Sequence, residues 1–267
     1  TKAIDIMVEA MKADEQVKIQ YASAQASLAN SWKKWIGIGQ GIEFTKAIEH
    51  KRKREEDFQN MVSNNRRFDA RYKTLLPNYD KLYGGWTPFV MARDYYLETC
   101  FRAIGSTYFI YRMRDMEEVL TSEDAEASMG ALLTESGGHF KDYDETLERT
   151  LFIEMMQHYV DNLDPNLRAA ELTGWSKERA AEVFDESHFT SQERFQELMS
   201  MSPKKASKRL AKDDLFTLTM AMYQYYRSDL APGYGSVRAQ LDSMDRIYMQ
   251  AQMEVFPRDR FYPDANS

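Results

Sequence analysis

Cysteine is almost missing: Cys100 stands alone among 267 residues. The chain therefore forms no internal disulfide and cannot build a thiolate-rich zinc site. Glycine and proline are sparse, at 12 and 7, and the β-branched alternation of strands is nearly absent. Apolar residues recur instead every three or four positions, which reads as all-α. No apolar run approaches the roughly 20 residues of a membrane span. Nor is there an excess of positive charge. Lys and Arg number 35 against 42 Asp and Glu, a formal net charge of −7, which argues against nucleic acid or anionic lipid as a partner. A hydrophobic share of 43% with 29% charged residues is the balance of a chain that folds around a core.

Periodicity places helices throughout. From Glu15 to Ile36 the residues Val17, Tyr21, Ala24, Leu28, Trp32 and Trp35 form one helical stripe, and Val237, Leu241, Met244, Tyr248, Ala251 and Val255 form another. Further helices are expected over 44–63, 65–76 before Pro77, 88–120, 122–133, 142–162, 176–186, 191–199 and 213–229. Ser122-Glu123-Asp124 and Thr190-Ser191-Gln192-Glu193 carry N-cap chemistry. Gly37-Ile38-Gly39-Gln40-Gly41 reads as a helix end, because a phosphate-binding loop needs a preceding strand and here a helix precedes it. Pro165, Gly174 and Ala231-Pro232-Gly233 mark connections. No repeat of fixed period and no linker appears, so residues 1–267 read as one irregular multi-helix bundle with a subdomain break at Gly137-Gly138.

Candidate chemistry is thin. Glu154 and His158 lie one turn apart, but the second Glu-x-x-His pair and two further inward Glu of a di-iron bundle are missing. Asp185 and His188 sit at a helix end without a second ligand pair, and His50 and His139 have no motif around them. The expectation is surface or satisfied histidines and no metal or cofactor. Lys51-Arg52-Lys53-Arg54 precedes Glu55-Glu56-Asp57 and reads as a self-neutralising solvated face. Lys204 to Lys212 is a second basic stretch. Met222 to Tyr226 and the many Met read as core filling. No Gly-x-Ser-x-Gly elbow or Ser/His/Asp signature is present.

One helix side stands apart. Ser23, Ala26, Asn30 and Gly37 face away from the apolar stripe of the Glu15 to Ile36 helix, where a solvated face would carry Lys and Glu. Such a side admits close approach, either of another element of this domain or, as the favoured reading, of something the chain does not contain.

The run from Gln20 to Lys34, with Tyr21-Ala22-Ser23 and Ala29-Asn30-Ser31-Trp32-Lys33, resembles a signature of the bacterial serine dipeptidyl-peptidase family of dipeptidyl aminopeptidase BII and dipeptidyl-peptidases 7 and 11. Ile36-Gly37 and the charged helix Lys46 to Phe58 are similar to that family too. Phe261-Tyr262-Pro263-Asp264-Ala265-Asn266-Ser267 resembles the segment that re-enters its second β-barrel.

The resemblance implies a helical domain inserted between the barrels of a chymotrypsin-like double β-barrel peptidase. The catalytic His and Asp would precede Thr1 and the Ser would follow Ser267, with both ends cuts in a longer protein. It further implies a cap over the cleft of an exopeptidase that releases dipeptides from free peptide N-termini. Asn30 would accept a hydrogen bond from the substrate's α-ammonium. The implied partners are N-terminally free peptides and the parent's own barrels, with no nucleic acid or membrane. The implied setting is a Gram-negative periplasm or cell surface, in a full-length homodimer; the isolated chain would be inactive. The rival readings are a stand-alone helical interaction module and a metal-dependent bundle using Glu154 and His158.

Overall fold

Helix is nearly continuous through the computed structural model, which describes residues 2–256, and no strand occurs among them. The segment 261–267 quoted for the family resemblance lies outside the described residues. In chain order the helices are α1 (Lys2–Ala13), α2 (Glu15–Phe44), α3 (Ala47–Ser63), α4 (Arg66–Tyr72) and α5 (Leu75–Leu97). Then come α6 (Gly105–Arg112), α7 (Met116–Thr121), α8 (Ala125–Phe140) and α9 (Glu145–Asn162). The last five are α10 (Lys177–Asp185), α11 (Gln192–Ser200), α12 (Pro203–Leu210), α13 (Asp214–Tyr225) and α14 (Ala231–Val255). π-helical turns occupy Glu98–Ala103 and Tyr226–Leu230.

Helix starts follow side-chain chemistry. Asn65, Asp144, Ser176, Ser191 and Asp213 each accept a backbone N–H of the turn they precede, closing donors that the helix itself leaves open. The Ser122-Glu123-Asp124 expectation fails, because no side chain caps α8 and the Ser122 hydroxyl instead donates to the Val119 carbonyl at the end of α7.

Glycine and proline interrupt less than the sequence suggests. α2 runs through Gly37, Gly39 and Gly41 to Phe44, and Lys46 (φ 51°) makes the turn into α3. α8 runs through Gly137-Gly138, and α14 begins at Ala231 and includes Pro232-Gly233. Pro77 falls in the first turn of α5, where its missing N–H has no intrahelical acceptor to lose. Pro88 is inside α5, where it removes one backbone donor from the helix ladder. The Pro165 and Gly174 connections are present, the first as a 3₁₀ turn and the second with φ 71°.

The chain divides into two compact units at Trp32/Lys33, Val90/Met91 and Ala231/Pro232. Unit 1 holds α1, the start of α2 and residues 91–231. Its central helix α9 packs against α1 and α10 and buries residues all around, including Leu151, Phe152, Met156 and Tyr159. Phe109 meets Phe140 and Phe195 edge-on at 5.3 and 5.1 Å, and Phe189 stacks on Phe216 at 5.5 Å. The Met and Tyr expectation holds in part: Met222 is buried, and Tyr226 stacks on Tyr96 at 4.6 Å.

Unit 2 holds residues 33–90 and 232–267. Its core joins Phe58, Val62, Tyr72 and Leu75 to Ala251, Val255 and Phe256, with Met244 and Tyr248 packed against it. The stripe expected along α14 is therefore a packing seam. At Gly233 a Cβ would lie 2.5 Å from a Phe89 ring carbon, so glycine is what lets α14 approach α5 there.

Candidate functional site

The two ends of α2 differ in surroundings. Val17 and Tyr21 are buried in unit 1 and Leu28 is half-buried, but Ala24, Trp32 and Trp35 are exposed. The stripe expected to bury along the whole helix is core only in its first turns. Beyond them Trp35 is 65% exposed and Phe44 91%, with Ile36, Ile38 and Ile42 also open. Large apolar residues exposed in this number along one helix mark surface that calls for a partner.

The small-residue side is open as well. Ser23, Ala26, Asn30 and Gly37 are exposed among the described residues, so nothing described here packs on them. A Cβ added at Gly37, Gly39 or Gly41 would meet nothing within 4 Å. Asn30 thus stands on a rigid helix with its amide accessible, half a turn from exposed Trp32. Its carbonyl oxygen is placed to accept a hydrogen bond and its amide nitrogen to donate two.

The first turns of α2 are pinned by a buried carboxylate that the sequence did not reveal. Glu148, 3% exposed on α9, accepts hydrogen bonds from the Tyr21 hydroxyl (3.0 Å) and from the amides of Gly105 (2.8 Å) and Ser106 (3.3 Å). Tyr21 in turn accepts the Asp144 amide at 3.1 Å. The acid closes the N-terminus of α6, where backbone donors and the helix dipole favour an acceptor. A Cβ on Gly105 would sit 2.9 Å from a carboxylate oxygen, so a side chain there would displace Glu148. Burial outweighs the three hydrogen bonds and pushes the Glu148 carboxyl up to about 7. The cluster ties α2, α6 and α9 together and so fixes the root of the helix that carries Asn30.

The remaining candidates resolve into structural roles. Glu154 is engaged by Lys2 (2.8 Å) and by Lys177, and those ammonium groups hold its carboxyl low. His158 contacts Asn162 at 3.0 Å, and burial lowers its pKa. No group of three His, Cys, Asp or Glu able to hold a metal occurs among the described residues. Asp185 is held by a two-pronged Arg149 contact at 2.6 and 2.8 Å. The Cys100 thiol is raised by burial. His139 stacks face to face on Phe109 at 4.2 Å, and burial first, then Arg112, lowers it to about 4, so the ring is neutral at pH 7.

His188 has the neighbours of a triad without its geometry. Its Nδ1 lies 3.2 Å from Asp213, but the Ser187 hydroxyl donates to Asp213 at 2.8 Å, and Arg209 donates to His188 Nε2 at 3.2 Å. The nitrogen that would activate a serine is occupied by a guanidinium. In α12 the Lys204–Lys212 stretch buries Ala206 and Leu210, leaving Lys204, Lys205 and Lys208 outside the core.

A family model described as Peptidase S46 matches residues 1–267. The Asp/Glu-specific dipeptidyl-peptidase of Flavobacterium psychrophilum is 30% identical over 261 residues, covering 96% of this chain and 36% of its own. Dipeptidyl-peptidase 7 of Porphyromonas gingivalis is 26% identical over 270 residues, covering 98% and 37%. The crystal structure of DPP11 from Porphyromonas endodontalis superposes with a TM-score of 0.75 at 20% identity, over 98% of this chain and 38% of that one. That likeness concerns the fold. The chain spans a little over a third of the length of these relatives.

Proposed function

The chain belongs to the Peptidase S46 family, and from that premise we propose that it is the helical domain of a serine dipeptidyl-peptidase, inserted between two β-barrels that carry the catalytic triad. The observation that carries the proposal is the open side of α2. Beyond its first turns α2 leaves both the Ser23, Ala26 and Asn30 side and the opposite Trp32 and Trp35 side exposed, a helix without a partner on either face. A family model that matches residues 1–267 and relatives nearly three times as long support this reading, since such relatives have chain enough to cover the helix.

In this reading α2 roofs the cleft, and the Asn30 carbonyl oxygen accepts a hydrogen bond from the α-ammonium of a peptide entering by its N-terminus. Fixing that end on a rigid helix sets how far the chain reaches before the scissile bond, and two residues fit. Positioning is the domain's contribution to rate; acyl transfer belongs to the barrels. The isolated chain is inactive. A periplasmic or cell-surface location and a homodimeric full-length enzyme belong to the same proposal. The name of the Flavobacterium psychrophilum relative, an Asp/Glu-specific dipeptidyl-peptidase, supports Asp- and Glu-containing peptides as the first to assay.

Mass spectrometry of products tests the reading. The full-length protein should release dipeptides in succession from a free N-terminus and leave the N-acetylated peptide intact. Single amino acids, internal fragments or cleavage of the blocked peptide would refute it.

A further inference from the structure

The overall charge of −7 conceals an asymmetry. Unit 1 carries 19 Lys and Arg against 30 Asp and Glu, a net of −11, whereas unit 2 carries 16 against 12, a net of +4. Much of that excess lies in the first half of α3, where His50, Lys51, Lys53 and Arg54 are spaced to share one helix face. A helix N-terminal half already bears the positive end of the dipole and ordinarily collects acids. α3 keeps Glu49 in its first turn, but the basic run follows directly, and Glu55, Glu56 and Asp57 come only after it.

The basic face lines a cleft of about 670 Å³ in unit 2, closed on the α14 side by Tyr248, Gln252 and Phe256. The basic run Lys51 to Arg54 is exposed throughout, as a solvated face should be, and Lys51 pairs with Glu55 at 2.8 Å and lies over Tyr248 at 5.5 Å. Arg54, though exposed, is held in place. Its guanidinium stacks on Phe256 at 5.2 Å, and its Nε donates to Gln252 Oε1 at 2.8 Å, which fixes the plane of the group. Lys53 and His50 are exposed. Asp57 is the one carboxylate in the lining.

We propose that this cleft binds acidic peptide segments, with the cations of α3 taking side-chain carboxylates and the rings of Tyr248 and Phe256 receiving the intervening apolar atoms. The volume falls within the range of built ligand sites. Peptide is favoured over nucleic acid because Asp57 and Glu55 interrupt the positive surface. Spaced carboxylates tolerate such an interruption, and a continuous phosphate backbone is repelled by it. The proposal stands independently of the peptidase reading.

Fluorescence anisotropy of labelled N-acetyl-hexaglutamate amide on the full-length protein tests it, since a blocked peptide reports binding without hydrolysis. The expected result is binding that weakens with salt and falls tenfold or more in Lys51→Glu/Lys53→Glu, with unchanged circular dichroism. Lys53→Arg should retain affinity, and N-acetyl-hexaglutamine amide should not bind. Equal binding by the double variant, equal binding of the neutral peptide, or an equally tight single-stranded oligonucleotide of the same charge would overturn it.

Discussion

Glu148→Ala speeds hydrogen exchange in α6 and the first turns of α9 roughly a hundredfold or more. The substitution strands the Gly105 and Ser106 amides and the Tyr21 hydroxyl in the interior. Each unsatisfied buried donor costs about 1–3 kcal/mol, and a combined loss of about 3 kcal/mol corresponds to that change in local opening. The same residue imposes a pH dependence whose sign follows from its raised pKa. Between 4.5, its ordinary value, and about 7 the folded state holds a proton that the unfolded state has released. The stabilisation is therefore complete below 4.5 and is lost as pH rises through 7, a change of roughly 3 kcal/mol at 1.36 kcal/mol per unit. Glu148→Gln keeps the size and an acceptor oxygen but does not titrate. Protection of α6 should then lose most of its slope between pH 4.5 and 7. Wild-type exchange in the alanine variant, or an unchanged slope in the glutamine variant, would show that the cluster does not hold α2 in place.

Asn30→Ala in the full-length enzyme should lower kcat/KM for dipeptidyl substrates tenfold or more. One hydrogen bond to a charged group is worth about 1.5–3 kcal/mol, and its removal acts on the transition state as well as on binding. Asn30 is exposed among the described residues, so the change leaves the fold intact. Asn30→Asp retains an acceptor facing an ammonium and should recover much of the loss, which a purely packing role would not predict. Kinetics equal to wild type in Asn30→Ala would remove the residue from the site.

The helical character of the chain was legible because a 3.6-residue period survives in almost every segment, and the α14 seam from Val237 to Val255 packs as its spacing says. Errors fall at Gly and Pro and along 88–120, expected as one helix but divided into the end of α5, a π turn, α6 and α7. A glycine costs a helix only about 1 kcal/mol, so Gly37 to Gly41 and Gly137-Gly138 do not stop α2 and α8. Pro77, Pro203 and Pro232 fall in first turns, where a helix tolerates them. The open side of α2 was readable from Ser23, Ala26 and Asn30 in a stretch, 19–32, that holds neither Lys nor Glu. Glu148 was not: its donors come from positions 21, 105 and 106 and meet it only through the tertiary fold, the sole local hint being an acid between Leu147 and Leu151 on a buried helix. The cleft beside α3 was hidden for a related reason, since Tyr248, Gln252 and Phe256 lie nearly 200 positions away from the basic run they enclose.

Hydroxyl-radical footprinting of the full-length protein addresses the covered face of α2 most directly, with the same protein in denaturant as reference. Trp32, Trp35 and Phe44, open in this chain, should be protected many-fold because the rest of the parent lies over them. Oxidation at the rates their exposure here implies would mean that the Trp side of α2 faces solvent in the whole enzyme, and would contradict the reading of this apolar surface as one that the parent covers.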